Sequence, residues 1–169
     1  MKRNPTNPFQ LKEISMQNNT LEQRIQNLED KVALKALVDT FANLADQKDL
    51  ATQSLLFAED AVVDTYFEGQ LFASLKGRKE IQETFTGFMA NFETAYHING
   101  QHTAEIDGDR ATAVHYCLVV LINTVDGKKM RNTNGVYYND EYVRQGGQWL
   151  ISKRTSNFTW RDTMEMVAG

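Results

Sequence analysis

The sequence predicts an α+β domain in which N-terminal helices pack on one strongly bent antiparallel sheet enclosing a single pocket. Three observations lead there. Helix-period apolar spacing dominates the first half of the chain, while the second half carries long β-rich segments punctuated by glycine turns. Those segments run to ~13 residues, well above the usual five or six. A sheet of such strands must coil, and only the N-terminal helices are available to cover its concave face.

Taken in order, Thr20-Leu-Glu-Gln23 is a capping-box pattern, in which each side chain satisfies the other residue's free backbone N–H. Leu21, Ile25, Leu28 and Val32 follow, then Leu34, Leu37, Val38, Phe41, Leu44 and Ala45. Spacings of three and four predict one long amphipathic helix, or two joined near 27–30. A short helix is expected over 50–57. A third is expected over 78–92, preceded by Gly77, with Ile81, Phe85, Phe88 and Met89 on one face. The β-branched and aromatic run 61–67 predicts a first strand. Turns at Asp107-Gly108-Asp109, Asp126-Gly127 and Gln145-Gly146-Gly147 then divide four strands near 95–106, 110–124, 129–144 and 148–160. This order makes a cone: the sheet curls round the first helix and leaves a cavity at its open end, the default place for a ligand.

Residues 1–19, with Asn4-Pro5, Asn7-Pro8 and Asn18-Asn19, read as a loose leader, and 20–169 as the domain. Its 41% hydrophobic and 24% charged residues are ordinary for a globular protein. The net charge of −4 and the lack of a basic block argue against a nucleic-acid partner. The longest apolar stretch, 117–122, is far short of the ~20 residues of a membrane helix. No apolar core follows the first basic residues, so a cytoplasmic location is expected. Cys117 is the one cysteine and sits in an apolar run, which excludes an internal disulfide and reads as a buried thiol.

Several stretches resemble the SnoaL-like branch of the nuclear transport factor 2-like superfamily. They are Phe41-Ala-Asn-Leu-Ala-Asp46-Gln-Lys-Asp49, Leu56-Phe-Ala-Glu-Asp-Ala-Val-Val-Asp64, Gly77-Arg-Lys-Glu-Ile81, Tyr96-His97-Ile-Asn-Gly100, Ile106-Asp-Gly-Asp-Arg-Ala111, and Glu141-Tyr142 through Gly147-Gln-Trp149. The similarity covers about 28–161 and implies the cone-shaped, cystatin-like fold. Within that superfamily the chain looks most like scytalone dehydratase and the lindane dehydrochlorinases. There an aspartate at the end of the first long helix orients a histidine on the sheet, which serves as general base in an elimination. Asp46 falls on the aspartate position and His97 on the histidine position. By the same resemblance Thr65, with Tyr66 one position off, lies near a carbonyl-polarising tyrosine. Tyr138 stands for a pocket asparagine, Val136 for a serine, and Leu121 for a second pocket histidine. These departures change the cavity's polarity, so scytalone itself is not the expected substrate. The resemblance also implies a homo-oligomer, dimer or trimer, paired across the sheet's outer face.

A neutral imidazole takes up a proton near neutral pH. A carboxylate on its far nitrogen fixes the tautomer and stabilises the imidazolium that forms. The expected activity is therefore a cofactor-free lyase or isomerase of dehydratase or cyclase type, acting on a small apolar oxygenated molecule. The structural alternative is that Asp46 caps the helix and His97 is a satisfied core histidine. At the level of function the rivals are a non-catalytic small-molecule-binding or assembly module, and a relative of dioxygenase small subunits. Alternation puts His97, Asn99 and Gln101 on one polar face of a strand. It groups His115 with Cys117, Val119 and Leu121 as a packed or pocket-edge residue, while His102, further along its strand towards the turn, reads as surface. Phe158 and Trp160 are candidate pocket walls; Arg154 and Arg161 are candidate anchors for an anionic substrate, with surface charge as the plainer reading. The three histidines lack close ligand spacing, so no metal is expected. No phosphate loop, dinucleotide fingerprint or nucleophile elbow occurs, so no cofactor is expected either.

Overall fold

A computed structural model of the chain describes residues 20–166; the leader expected over 1–19 lies outside the described residues. Helix α1 (Leu21–Gln47) is followed by α2 (Leu50–Ser54), β1 (Phe57–Phe67), β2 (Gln70–Lys76), α3 (Arg78–Met89), β3 (Thr94–Asp107), β4 (Arg110–Val125), β5 (Lys128–Gln145) and β6 (Gln148–Glu165). The strands form one sheet in the order β2-β1-β6-β5-β4-β3, whose edges do not meet. All neighbouring pairs are antiparallel except β1 with β6, which is parallel. No helix among the described residues is long and apolar enough to cross a membrane.

The capping box at Thr20 is formed, and α1 runs unbroken through 27–30. Lys48 ends it in the left-handed conformation (φ 58°), and Asp49 caps α2 by accepting from the Thr52 N–H at 3.0 Å. The expected helix over 50–57 stops at Ser54, because Phe57 pairs with Ile151 and joins the sheet. Strand β2 was not expected. It returns from β1 through Glu68-Gly69, both left-handed (φ 49° and 82°), as a type I′ hairpin requires.

Long strands stay bent because two of their ladders carry three extra residues between them. One bulge lies in β3 at Gly100-Gln101, between the pairs Asn99–Cys117 and His102–His115. Two lie in β6, at Ser152 and Thr159, opposite Glu141 and Gly135. Their hydroxyls bond to the facing carbonyls, Ser152 to Glu141 and Thr159 to Gly135, each at 3.0 Å. A bulge sharpens local twist and reverses the alternation beyond it. The three devices therefore decide which side chains enter the cone.

At the narrow end Leu34, Leu37 and Val38 of α1 pack on Phe57, Ala61, Val63, Tyr142, Trp149 and Ile151, and small Ala111 and Ala113 let the helix approach the sheet. Asp30 pins the helix there, accepting from Arg144 (2.7 Å) and from the Trp149 indole (3.1 Å). Deeper in, Arg154 is 1% exposed, and its guanidinium donates to both Asp140 oxygens at 2.9 and 2.7 Å. Tyr142 Oη donates to the same carboxylate (2.8 Å), and the guanidinium lies over the rings of Phe41 and Tyr138. Burial opposes the Arg154 charge, but Asp140 outweighs it and holds the pKa above the usual arginine value.

His115 stacks on Tyr138, with ring centroids 4.6 Å apart, and its Nδ1 lies 3.6 Å from Asp140. Burial first, and then the Arg154 charge, push its pKa down to about 3.

Removing one partner of the buried pair leaves an uncompensated charge. Asp140→Ala is expected to cost about 3–5 kcal/mol in urea unfolding, and an Asp140→Leu/Arg154→Met double variant far less; equal losses would mean that the pair is not coupled. His115 is neutral in the fold but takes a proton below pH ~6.5 once unfolded, so stability falls with pH between 6.5 and 3. From pH 7 to 5 the loss is about 2 kcal/mol. His115→Phe is expected to flatten that slope, and an unchanged slope would clear His115 of the effect. The lowered carboxyls of Asp30 and Asp39 add their own loss only at lower pH, where they become protonated.

Candidate functional site

The last turn of α1 carries Asp46, and the first inward positions of β3 carry Ala95 and His97. The tight stop at Lys48 matters here, because it fixes where the last turn ends against the sheet. Lys48 also donates its ammonium to the Phe92 carbonyl just before β3, tying the two ends together. His97 Nδ1 lies 2.6 Å from Asp46 Oδ1, and the His97 backbone N–H donates to Oδ2 at 3.1 Å. One carboxylate thus engages both the ring and the main chain of a residue fifty-one positions away. With Nδ1 facing an acceptor, the neutral ring carries its proton there and its lone pair on Nε2. The side chains are 12% exposed for His97 and 23% for Asp46. Among the described residues Nε2 has no hydrogen-bond partner.

A second pin lies about two turns earlier on the helix. Asn99 donates its amide to Asp39 Oδ1 (3.0 Å) and to the Val38 carbonyl (3.2 Å). Burial works against the Asp39 charge, but the Lys35 and Asn99 hydrogen bonds overcome it and lower the pKa. A cleft of about 380 Å³ opens along this seam, lined by Asp39, Ala42, Asn43, Tyr96, His97 and Asn99 with Ile98. The hollow at the dyad is open to solvent. Inward of it, Leu50, Met89, Ala95, Cys117, Val119, Leu121 and Val136 form one apolar cluster with Tyr138. Burial pushes the Cys117 thiol up to about 12, so it stays protonated and is no nucleophile.

The residues expected to line a site divide by face. Thr65 shares an inward row with Ser156, Tyr138, His115 and His102. Phe158 shares the next with Phe67, Val136, Cys117 and Asn99, and stacks on Phe67 with centroids 4.6 Å apart. Leu121 is buried opposite Ala95. Two residues fall away from the interior. Tyr66 pairs with Asn157 in the row of Tyr137 and exposed Tyr116, on the convex face, because β1 keeps simple alternation after Thr65. Trp160 is 48% exposed and lies across Gly135, since the bulge at Thr159 turns it outward.

Bulges also brought in residues that read as surface. The extra residue at Gly100-Gln101 leaves Gln101 exposed and turns His102 inward to face His115, with ring centroids 6.1 Å apart. The extra residue at Ser152 does the same for Arg154. Nε2 of His102, Nδ1 of His115 and one terminal nitrogen of Arg154 are buried there without a hydrogen-bond partner. The sequence signals available were an isolated glycine inside a strand and hydroxyl residues at the two β6 bulges. At the level of His97, Asn134 is buried in the same row, donates to the Val119 carbonyl at 3.3 Å and accepts from Arg161 at 3.3 Å. No group of three or more His, Cys, Asp or Glu side chains among the described residues is placed to hold a metal ion.

The fold has counterparts. Uncharacterised proteins of Mycobacterium bovis and Mycobacterium tuberculosis are 21% identical over 141 residues, covering 83% of this chain and 92% of theirs. Among solved structures, a type 2 hexachlorocyclohexane dehydrochlorinase (LinA) superposes with TM-score 0.71 at 15% identity, over 83% of this chain and 93% of that one. A candidate scytalone dehydratase from Novosphingobium aromaticivorans gives TM-score 0.69 at 20% identity, over 85% and 91%. A nuclear transport factor 2-like protein with a cystatin-like fold from the same organism gives 0.61 at 25% identity, over 83% and 91%. These likenesses carry the α+β cone. A family model of the SnoaL-like domain matches residues 26–155, through both arms of the seam and five of the six strands in full, and the chain belongs to that family.

Proposed function

We propose that the chain is a cofactor-independent lyase or isomerase in which His97, oriented by Asp46, is the general base. The observation that carries this reading is the 2.6 Å contact of Asp46 with His97 Nδ1, which leaves Nε2 unpartnered beside an apolar cluster. Nε2 takes a proton from a carbon next to a carbonyl or a leaving group. The C–H electron pair becomes a C=C bond, and either the leaving group departs with its own pair or the proton returns to another carbon. Asp46 stabilises the imidazolium meanwhile, and no metal or cofactor enters the sequence of steps. Family membership, with dehydratase and dehydrochlorinase neighbours in structure, supports the same class of reaction.

The substrate this reading favours is small, mostly apolar and oxygenated. Leu121, Phe158 and Tyr138 supply apolar contact, Thr65 and His115 lie deeper in the same face, and the unpaired Arg154 nitrogen is the hydrogen-bond donor suited to an oxygen. Tyr66 and Trp160 have no part in it. A non-catalytic binding module is the second reading, and the close packing of the apolar cluster beside His97 is what favours it. A cytoplasmic setting and a homo-oligomer belong to the same proposal.

The test is turnover against a panel of small cyclic ketones and of chlorinated or hydroxylated alicyclic compounds, after native mass spectrometry has looked for a retained molecule. His97→Gln and Asp46→Asn are each expected to lower kcat by about 10²–10⁴-fold while the protein stays folded by circular dichroism. Undiminished turnover in either variant would remove the dyad. Retention of a ligand with no turnover of that compound or its analogues would favour the binding module.

A further inference from the structure

Helix α1 has two apolar faces, and the cone uses one of them. Asp30, Leu34 and Leu37 are buried against the sheet. Leu21, Ile25, Leu28 and Val32 lie on the opposite side and are 65, 47, 62 and 69% exposed. An apolar stripe of this kind on the solvent side of a helix is unusual, and these four spacings are four, three and four. That is the 3.5-residue repeat of a coiled-coil seam, with Leu21 and Leu28 at d positions and Ile25 and Val32 at a positions. We propose that this seam pairs in parallel with the same seam of a second copy of the chain.

Residue type and charge both select that occupant. β-branched residues at a with leucine at d favour two parallel strands over higher orders. Beside the seam, Arg24 and Lys31 occupy g positions, and Glu22 and Glu29 occupy e positions. In a parallel pair Arg24 faces Glu29 of the second copy. In an antiparallel pair Arg24 would face Lys31, and Glu22 would face Glu29, so both flanking pairs would repel. All four charged residues are exposed, and none has an ion-pair partner among the described residues. The body of each copy lies on the far side of its own helix from the seam, so two copies related by a two-fold axis along the helices do not collide. In the sequence the same spacing reaches back through Asn18, Ile14 and Leu11, outside the described residues. Four seam residues per copy bury roughly 800 Å² in total, at the low end for protein contacts, so the pair is expected to dissociate on dilution.

Sedimentation equilibrium of the full chain over a wide concentration range reads this association, alongside Leu28→Lys and the charge variants. Leu28→Lys is expected to weaken it at least 10-fold without changing the circular dichroism spectrum. Arg24→Glu is expected to weaken it and Arg24→Glu/Glu29→Arg to restore it. Orientation is read from Leu28→Cys, which in the parallel register meets its own counterpart and should form a covalent dimer under mild oxidation; buried Cys117 serves as the internal control. An association untouched by Leu28→Lys, or no crosslink through position 28, overturns the proposal. So does a chain lacking residues 1–19 that self-associates when the full chain does not, since the seam would then be covered by its own leader.

Discussion

The extra residues in β3 and β6 govern what this cone holds inside it. Strands of 14 to 18 residues cannot stay flat, and each bulge relieves the accumulated twist by bending the ladder. The same insertion exchanges the two faces of the strand beyond it. Without the one at Ser152, Arg154 would stand on the convex face and Asp140 would be a buried carboxylate with no cation. Without the one at Gly100-Gln101, His102 would point to solvent and Gln101 would face His115. Curvature and interior chemistry are therefore set by one device.

The helix inside the cone is fixed at three heights by carboxylates. Asp30 meets Arg144 and Trp149 near the narrow end, Asp39 meets Asn99 in the middle, and Asp46 meets His97 near the mouth. Apolar packing alone is tolerant of small slides along a helix axis, because Leu34 and Val38 would still find hydrocarbon after a shift. Directional hydrogen bonds are not tolerant of it. A displacement of an ångström or two would break all three pins together, so the geometry at Asp46 inherits its rigidity from contacts far from it. The Asp140–Arg154 pair lies between two strands of the sheet and meets the helix through the ring of Phe41, a contact less directional than the three hydrogen-bonded pins.

Element order and the helical stripe were legible because they rest on local periodicity, and the three C-terminal turns because glycine there permits positive φ. The positions of Asp46 and His97 came from a resemblance, and their contact is a tertiary fact. Bulges hide the rest: His102, near the turn, and Arg154, by its charge, read as surface, and Trp160, by its size, as a pocket wall, and an extra residue in the strand overturns each reading. A bulge adds one residue with no strong compositional mark, and Ser152 and Thr159 look like ordinary strand residues until their hydroxyls are seen on the facing carbonyls. Strand β2 escaped for a related reason: its hairpin begins with Glu68, a poor turn residue that the following Gly69 makes tolerable.

The three pins differ in one respect that bears on chemistry. A register pin needs a donor and nothing more, and Asn99, Arg144 and Trp149 are donors whose polar atoms facing the helix are used in the pin itself. An asparagine at position 97 would pin Asp46 as well, and its backbone N–H already does part of that work. An imidazole brings a second nitrogen with a lone pair, which the pin itself does not use. That nitrogen belongs to a side chain that lines the open seam next to Val119 of the apolar cluster. The surplus group, more than the short contact, is what a structural account of the pair leaves unexplained and a proton-transfer account uses.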